Sequence, residues 1–99
     1  MIVVGGTFDV DPERREAFLV ERVPMMQRSR AEHGCLEYTF AADPVEPGRV
    51  VLFERWTDQA ALDAHLTALR SAPGDPAPQV AASSTSIVLY DVSGERPLV

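Results

Sequence analysis

The chain alternates segments whose residue types favour β-strands with segments whose apolar residues recur at helical spacing. Residues Met1–Val10 are rich in β-branched and aromatic side chains and predict a first strand, interrupted by a Gly-Gly pair typical of a bulge. Asp11 followed by Pro12 is typical of a helix start, so a helix is predicted from about Pro12 to Glu32, ending at Gly34.

The apolar residues of this first helix favour one side of it. On a helical wheel that side is expected to face the core, and its members are Leu19, Val20, Val23, Met26 and Ala31. Phe18 and Met25 fall among the charged residues, which indicates either a neighbouring surface that they cover or a change of register at Pro24. Pro24 removes one backbone hydrogen bond and is expected to kink the helix.

Three further strands and a second helix follow. In the second strand, Leu36, Tyr38 and Phe40 are expected to share one face. Thr57 or Asp58 is a suitable cap for the second helix. The predicted segments are a strand over Cys35–Ala41, a strand over Arg49–Trp56, a helix over about Gln59–Arg70, a proline-rich loop over Ser71–Pro78 and a strand over Ser84–Val92.

The order of these elements is β-α-β-β-α-β. Because each β-α-β unit needs a right-handed crossover, this order predicts a four-stranded antiparallel sheet with both helices on one side. The expected fold class is therefore α+β with a ferredoxin-like arrangement. We expect one such domain over residues 1–93 and a short C-terminal tail over residues 94–99.

The strands predict a partner for the second face of the sheet. Val50 and Leu52 point to one face of the third strand, whereas Val51 and Phe53 point to the other. The fourth strand is apolar on both faces in the same way. Because two helices cover only one face, we expect a second copy of the chain to pack against the other, sheet to sheet.

Composition and charge narrow the class of protein. The 99 residues allow one domain with a thin core, and they carry 15 acidic and 9 basic side chains, for a net charge of −6. Every basic residue is arginine and none cluster, so neither nucleic acid nor an anionic membrane is an expected partner. A single cysteine, the lack of a long apolar run and the lack of a signal-peptide pattern favour a cytoplasmic protein.

The second helix carries the most informative side chain. His65 lies at helical spacing with three leucines, at positions 62, 66 and 69, so it is expected to point into the protein. On the third strand Glu54 and Trp56 share a face. If that face meets the helices, the imidazole, the carboxylate and the indole converge between the sheet and the helices.

Each of these residues also has a purely structural interpretation. A histidine on an apolar helix face is more often a core residue whose hydrogen bonds are satisfied, and Trp56 alone is more often core than site. Glu54 could form an ion pair at the strand end, with Arg49, Arg55 or Arg70 as its partner.

Metal binding and thiol chemistry are weakly supported by the sequence. His33, Cys35 and Glu37 lie close together, but a second Cys/His pair is missing, so no metal site is predicted. Cys35 falls in a strand expected to be buried, where a thiol is inert. The Gly-Gly pair lacks the spacing of a phosphate-binding or dinucleotide-binding loop.

Two blocks of sequence resemble the antibiotic biosynthesis monooxygenase-like family. In residues 53–65, FERWTDQAALDAH, a strand ending in Glu-x-Trp runs into a helix with Ala-Leu-x-x-His. In residues 29–38, SRAEHGCLEY, a helix end is followed by Gly-Cys-x-x-Tyr. With the β-α-β-β-α-β order, the resemblance covers nearly the whole chain.

The resemblance implies a dimeric α+β barrel in which each subunit keeps a pocket between its sheet and its helices. Members of the family oxidise anthrone-like aromatic polyketides and quinols without metal or flavin, others degrade haem, and some isomerise small signalling molecules. On matching positions Trp56, His65 and Tyr38 would line the pocket and Glu54 would support it. The haem-degrading members carry an asparagine on the first strand, where this chain has Gly-Gly-Thr.

Together these features favour a cofactor-independent monooxygenase that oxidises an electron-rich aromatic substrate with O₂. His65 is the expected base, Trp56 Nε1–H and the Tyr38 hydroxyl are the expected donors to the substrate anion, and Glu54 would orient one of these groups. The loop Ser71–Pro78 would form part of the pocket mouth. Two alternatives use the same pocket: a module that only binds a small aromatic, and a cofactor-free isomerase.

Overall fold

The computed structural model describes residues 1–71 and 78–99. Its helices and strands are β1 (Ile2–Asp9), a 3-10 turn (Pro12–Arg14), α1 (Arg15–Arg30), β2 (Cys35–Ala42), β3 (Arg49–Trp56), α2 (Gln59–Ser71) and β4 (Ser84–Asp91). Of the predicted loop, Ser71 is the last residue of α2, and residues 72–77 lie outside the described part. No helix within the described residues is long and apolar enough to cross a membrane.

The four strands form one antiparallel sheet in the order β2-β3-β1-β4. The first and third strands are adjacent and central, and the second and fourth form the edges. This confirms the predicted α+β, ferredoxin-like fold class.

The side of α1 that faces the sheet matches the predicted one only in part, since Leu19 and Met26 pack against the core. Phe18, expected among the charged residues, is completely buried, whereas Val20 is 61% exposed. Arginines share the buried side: Arg22 lays its guanidinium carbon 3.3 Å from the centre of the Phe18 ring, and Arg15 donates to the carbonyl oxygen of Asp43 at 2.8 Å. Because long arginine stems pack like apolar residues while their heads reach carbonyl oxygens, a wheel that counts them as polar misses part of the buried face.

The helix α1 includes Pro24, as the predicted helix does. One further local prediction needs adjustment. In β2 the register shifts between Cys35 and Glu37, so Leu36 occupies a bulge and is exposed, whereas Tyr38 and Phe40 are both buried. A bulge adds one residue to one strand and thereby breaks the two-residue alternation on which the prediction depended.

The sheet has one covered and one open face. Val50, Leu52, Glu54 and Trp56 of β3 share one buried face, as the alternation predicts, and that face is the helix side. The opposite face carries exposed large apolar side chains at Val51, Phe53, Val88 and Tyr90. Such a contiguous apolar surface is typical of an interface.

The turn after α1 packs against the start of α2 through Gly34. Gly34 has φ +82°, and a β-carbon built there would lie 2.5 Å from the β-carbon of Ala61. Its carbonyl oxygen accepts a hydrogen bond from the backbone N–H of Thr57 at 2.9 Å. Only glycine combines this backbone conformation with so close an approach, and the turn therefore lies directly on the helix that carries His65.

The Gly34 contact predicts a large effect of a small substitution. Gly34→Ala should lower the free energy of unfolding by about 2 kcal/mol or more, because the new methyl group meets α2 and the φ angle becomes strained. Gly94→Ala is the matched control, since a β-carbon at Gly94 meets nothing within 4 Å. Urea denaturation at one fixed protein concentration measures both, and equal stability of the two variants would contradict the assigned turn geometry.

Candidate functional site

His65 is held inside the protein by its own helix and by a carboxylate from the turn after α1. Asp58 caps α2 by accepting a hydrogen bond from the Ala61 N–H at 2.8 Å, which fixes where the helix starts. The His65 side chain is 1% exposed, and its Nδ1 lies 3.0 Å from Oε2 of Glu32. Because the carboxylate accepts, this contact places a proton on Nδ1 and makes Nε2 the nitrogen available to a ligand.

Glu32 is the site residue that sequence reasoning missed. On the helical wheel of the predicted first helix, Glu32 falls on the charged side, which is expected to face solvent. Its contact partner His65 lies 33 positions later in the chain. The glycine two residues later, Gly34, is the only signal in the sequence, because it marks a turn that approaches another element closely. The Glu32 side chain remains 26% exposed and also lines a second cavity of about 350 Å³ behind α2, together with His33 and Asp58.

Glu54 and Trp56 form a buried pair on β3. The indole Nε1–H donates to Oε1 of Glu54 at 2.9 Å, and both side chains are almost fully buried. Burial raises the pKa of Glu54, and the indole hydrogen bond and the positive charge of a protonated His65 offset part of that rise. The alternative interpretation, an ion pair between Glu54 and an arginine, is not met among the described residues. Arg55 instead contacts Glu37 at 2.9 Å.

The indole nitrogen therefore differs from its predicted role. Its single N–H is committed to Glu54, so it is not free to donate to a substrate anion. The Trp56 ring instead packs against the imidazole of His65, with the ring centres 4.7 Å apart. Trp56 thus acts on His65 through packing.

Tyr38 completes the group of rings from β2. Its ring centre lies 5.2 Å from that of His65 and 6.4 Å from that of Trp56. Burial, and next the charge of Glu54, raise the pKa of Tyr38 well above its usual range, while a hydrogen bond with the buried Ser29 side chain opposes that rise. The phenol therefore keeps its proton and remains a hydrogen-bond donor.

A cavity of about 420 Å³ lies between the sheet and the helices, beside these rings. Its walls are mostly apolar, and the described polar side chains that line it are Arg22, Tyr38, Glu54 and His65. Trp56 is not in its wall. A hollow of this size and lining fits a small aromatic molecule, and its single histidine is the group suited to proton transfer.

The residues considered for metal or thiol chemistry do not come together. His33 is exposed and Glu37 points to the open face of the sheet, where it pairs with Arg55. Burial, followed by the charges of Glu32 and Glu54, raises the pKa of the Cys35 thiol, so it stays protonated and unreactive. Within the described residues no three His, Cys, Asp or Glu side chains form a metal-binding group.

The raised pKa of Glu54 predicts a pH-dependent stability difference. Because the native state holds this proton more tightly than the unfolded chain, the contribution of Glu54 to wild-type stability falls as the pH rises from 4.5, the ordinary value, through the raised native pKa. Glu54→Gln keeps an oxygen for the indole without the charge, so it should be more stable than the wild type at pH 8 but not at pH 4. Denaturant titrations measure both, with the exposed Glu46→Gln as the control. A Glu54→Gln protein less stable than the wild type at pH 8 would contradict the raised pKa of Glu54.

Comparison with known proteins identifies the family. Residues 1–71 match the family model described as antibiotic biosynthesis monooxygenase. A Synechocystis protein without an assigned function, sll1783, is 32% identical over 98% of this chain and 67% of its own length. The Bacillus subtilis protein YcnE, named as a candidate monooxygenase, is 40% identical over 66% of this chain and 68% of its own length.

A solved structure agrees at the level of the fold. The crystal structure of a candidate antibiotic biosynthesis monooxygenase from Deinococcus radiodurans covers 100% of this chain and 99% of its own, with a TM-score of 0.76 and 20% identity. At that identity the likeness concerns the fold alone. With the match to the family model over residues 1–71, the chain belongs to the antibiotic biosynthesis monooxygenase family.

Proposed function

We propose that the chain is a monooxygenase that oxidises a small electron-rich aromatic substrate, of the anthrone or quinol type, with O₂ and without a cofactor. The observation that carries the proposal is the buried His65, bound through Nδ1 to Glu32 at 3.0 Å in the wall of an apolar cavity. A base that is positioned by a carboxylate and shielded from water suits the removal of a proton from such a substrate.

The proposed reaction begins with proton transfer to His65 Nε2. The resulting electron-rich anion donates one electron to O₂, and the two radicals combine to form a peroxide at the same carbon. His65 returns its proton to the peroxide anion, and loss of water from the resulting hydroperoxide leaves a carbonyl group. For an anthrone, the CH₂ group and O₂ thus become C=O and H₂O, which balances atoms and electrons.

The neighbouring side chains support this step in different ways. Glu32 is a positioning residue, because it fixes the imidazole orientation and tautomer through Nδ1. The Tyr38 hydroxyl is the proposed donor to the substrate oxygen, since it lines the cavity and keeps its proton. Glu54 holds the indole of Trp56, which in turn packs against His65.

We also propose that two copies of the chain pair through the open sheet face. The exposed apolar side chains Val51, Phe53, Val88 and Tyr90 of β3 and β4 lie on that face and do not line the cavity. At roughly 25 cal/mol per Å² of apolar surface removed from water, covering them stabilises a pair of chains substantially. Twofold pairing covers the face of both copies at once.

The assignment of His65 as base predicts a loss of turnover on its removal. With anthrones and hydroquinones as the panel, wild type should consume O₂ and give an oxygenated product, whereas His65→Ala should be at least about 100-fold slower. His33→Ala is the matched control, since that histidine is exposed outside the cavity and should leave the rate unchanged. Unchanged turnover in His65→Ala removes the base assignment.

Product analysis separates the oxygenase from the two alternatives. Tight binding of the panel compounds without O₂ consumption supports a binding module, and a product of the same mass as the substrate supports an isomerase. Either result contradicts the proposed oxygenation.

The proposed pairing predicts that one charge on the open face separates the subunits. Val51→Asp places a carboxylate in the middle of the proposed interface and should convert dimers to monomers. Val20→Asp makes the same change on an exposed part of α1 and should leave the dimer intact. Sedimentation equilibrium distinguishes these outcomes. A monomeric wild type, or a dimeric Val51→Asp protein, contradicts the pairing.

A further inference from the structure

Arg22 is the only cationic side chain among the described residues that line the 420 Å³ cavity. It extends from α1, and its guanidinium carbon lies 3.3 Å from the centre of the Phe18 ring. That ring contacts Phe8, and Phe8 itself lines the cavity. The guanidinium therefore lies on the aromatic wall of the hollow, which was not foreseen in the sequence.

The hydrogen bonds of Arg22 use only some of its N–H donors. Nη1 donates to the carbonyl oxygen of Phe18 at 2.8 Å and Nη2 to that of Val80 at 3.3 Å. A guanidinium has five N–H donors, so these two bonds leave donors for a ligand. Burial lowers the pKa of Arg22, yet an arginine remains charged in proteins.

No carboxylate of the described residues forms an ion pair with Arg22. The adjacent Glu21 is committed elsewhere, because its two carboxylate oxygens accept the backbone N–H groups of Gln79 at 2.6 Å and Val80 at 2.8 Å. A partly buried cation without an anionic partner is unfavourable and is stabilised by an anion that enters the cavity.

The polar side chains of the cavity come from different elements. Arg22 extends from α1, whereas Glu54 lies on β3 and His65 on α2. The remaining wall is apolar and is formed by Val4, Phe8, Met25, Phe40, Leu52, Leu62, Leu66, Leu69, Ile87 and Leu89. A matching ligand has an apolar body with an acidic group at a distance from its reactive position.

We propose that Arg22 binds the acidic group of the substrate, so that the molecule taken up by this cavity is an aromatic carboxylic acid. The proposal rests on the cavity assigned above as the oxygenase site and adds the substrate class. Arg22 sets specificity by pairing with the carboxylate, while His65 acts on the other end of the same molecule.

A matched pair of ligands tests Arg22 through binding alone. The probes are 2-naphthoate and the uncharged 2-naphthamide, which have nearly the same shape, measured by isothermal titration calorimetry. Wild type should bind the naphthoate at least tenfold more tightly than the amide. Arg22→Met, which keeps much of the stem and removes the charge, should bind both equally, and Arg22→Lys should retain part of the preference.

Arg14→Met is the control for this test. It removes an exposed arginine of the turn before α1 and should leave the preference for the naphthoate unchanged. Equal binding of the two ligands by wild type, a preference that survives in Arg22→Met, or no binding of either ligand overturns the proposal. If Arg22 only holds the segment around Val80 in place, Arg22→Met weakens binding of both ligands by the same factor.

The binding test of Arg22 and the O₂-consumption test of the proposed reaction can fail independently of each other. A protein that prefers the naphthoate but consumes no O₂ retains the acid subsite and loses the proposed reaction. A protein that consumes O₂ without discriminating between the two ligands retains the reaction and loses the acid subsite.

Discussion

The structure of the site depends on the hydrogen bond between His65 and Glu32. A buried imidazole without a partner costs free energy comparable to a lost hydrogen bond, and here the partner is a carboxylate 3.0 Å away. The bond orients the ring and designates Nε2 for a ligand. It exists because Gly34 lets the turn after α1 lie directly on α2. The backbone conformation of Gly34, outside the cavity, thereby determines which ring nitrogen of His65 is available to a ligand.

The two faces of the sheet serve different purposes. On the helix side, the buried ends of β2 and β3 supply Tyr38, Glu54 and Trp56, and the space that the helices leave open is the cavity. On the other side, the strands expose apolar residues that a second copy of the chain is proposed to cover. A thin core of 99 residues can thus hold an internal hollow, because pairing would supply stability that the monomer lacks.

Features set by periodicity were predictable from the sequence. The leucine spacing on α2 indicated that His65 points inward, and the alternation on β3 put Glu54 and Trp56 on one face, which the structure shows to be the helix side. The wheel for α1 was right for Leu19 and Met26 but missed the buried Phe18, whose ring lies against the guanidinium of Arg22, a residue that the wheel counts as polar. Periodicity describes one element at a time, so it succeeds where a face is uniformly apolar and fails where charged residues share it.

Contacts between elements distant in sequence could not be predicted in this way. The pairing of Glu32 with His65 depends on how a turn meets a helix, which the order of residues does not show. The Trp56 N–H had an acceptor two residues away, in Glu54, yet only the geometry shows that it is fully committed there. Such choices are decided by packing and by the satisfaction of buried polar atoms.

The tautomer of His65 tests the central claim most directly. A two-bond ¹H–¹⁵N correlation spectrum of uniformly ¹⁵N-labelled protein at pH 8, with His33→Gln used to assign the signals, reports which ring nitrogen carries the proton. The account predicts a proton on Nδ1, shared with Glu32, and an unprotonated Nε2 that shifts when an aromatic ligand enters the cavity. A proton on Nε2, or an Nε2 signal that no bound ligand moves, would contradict it.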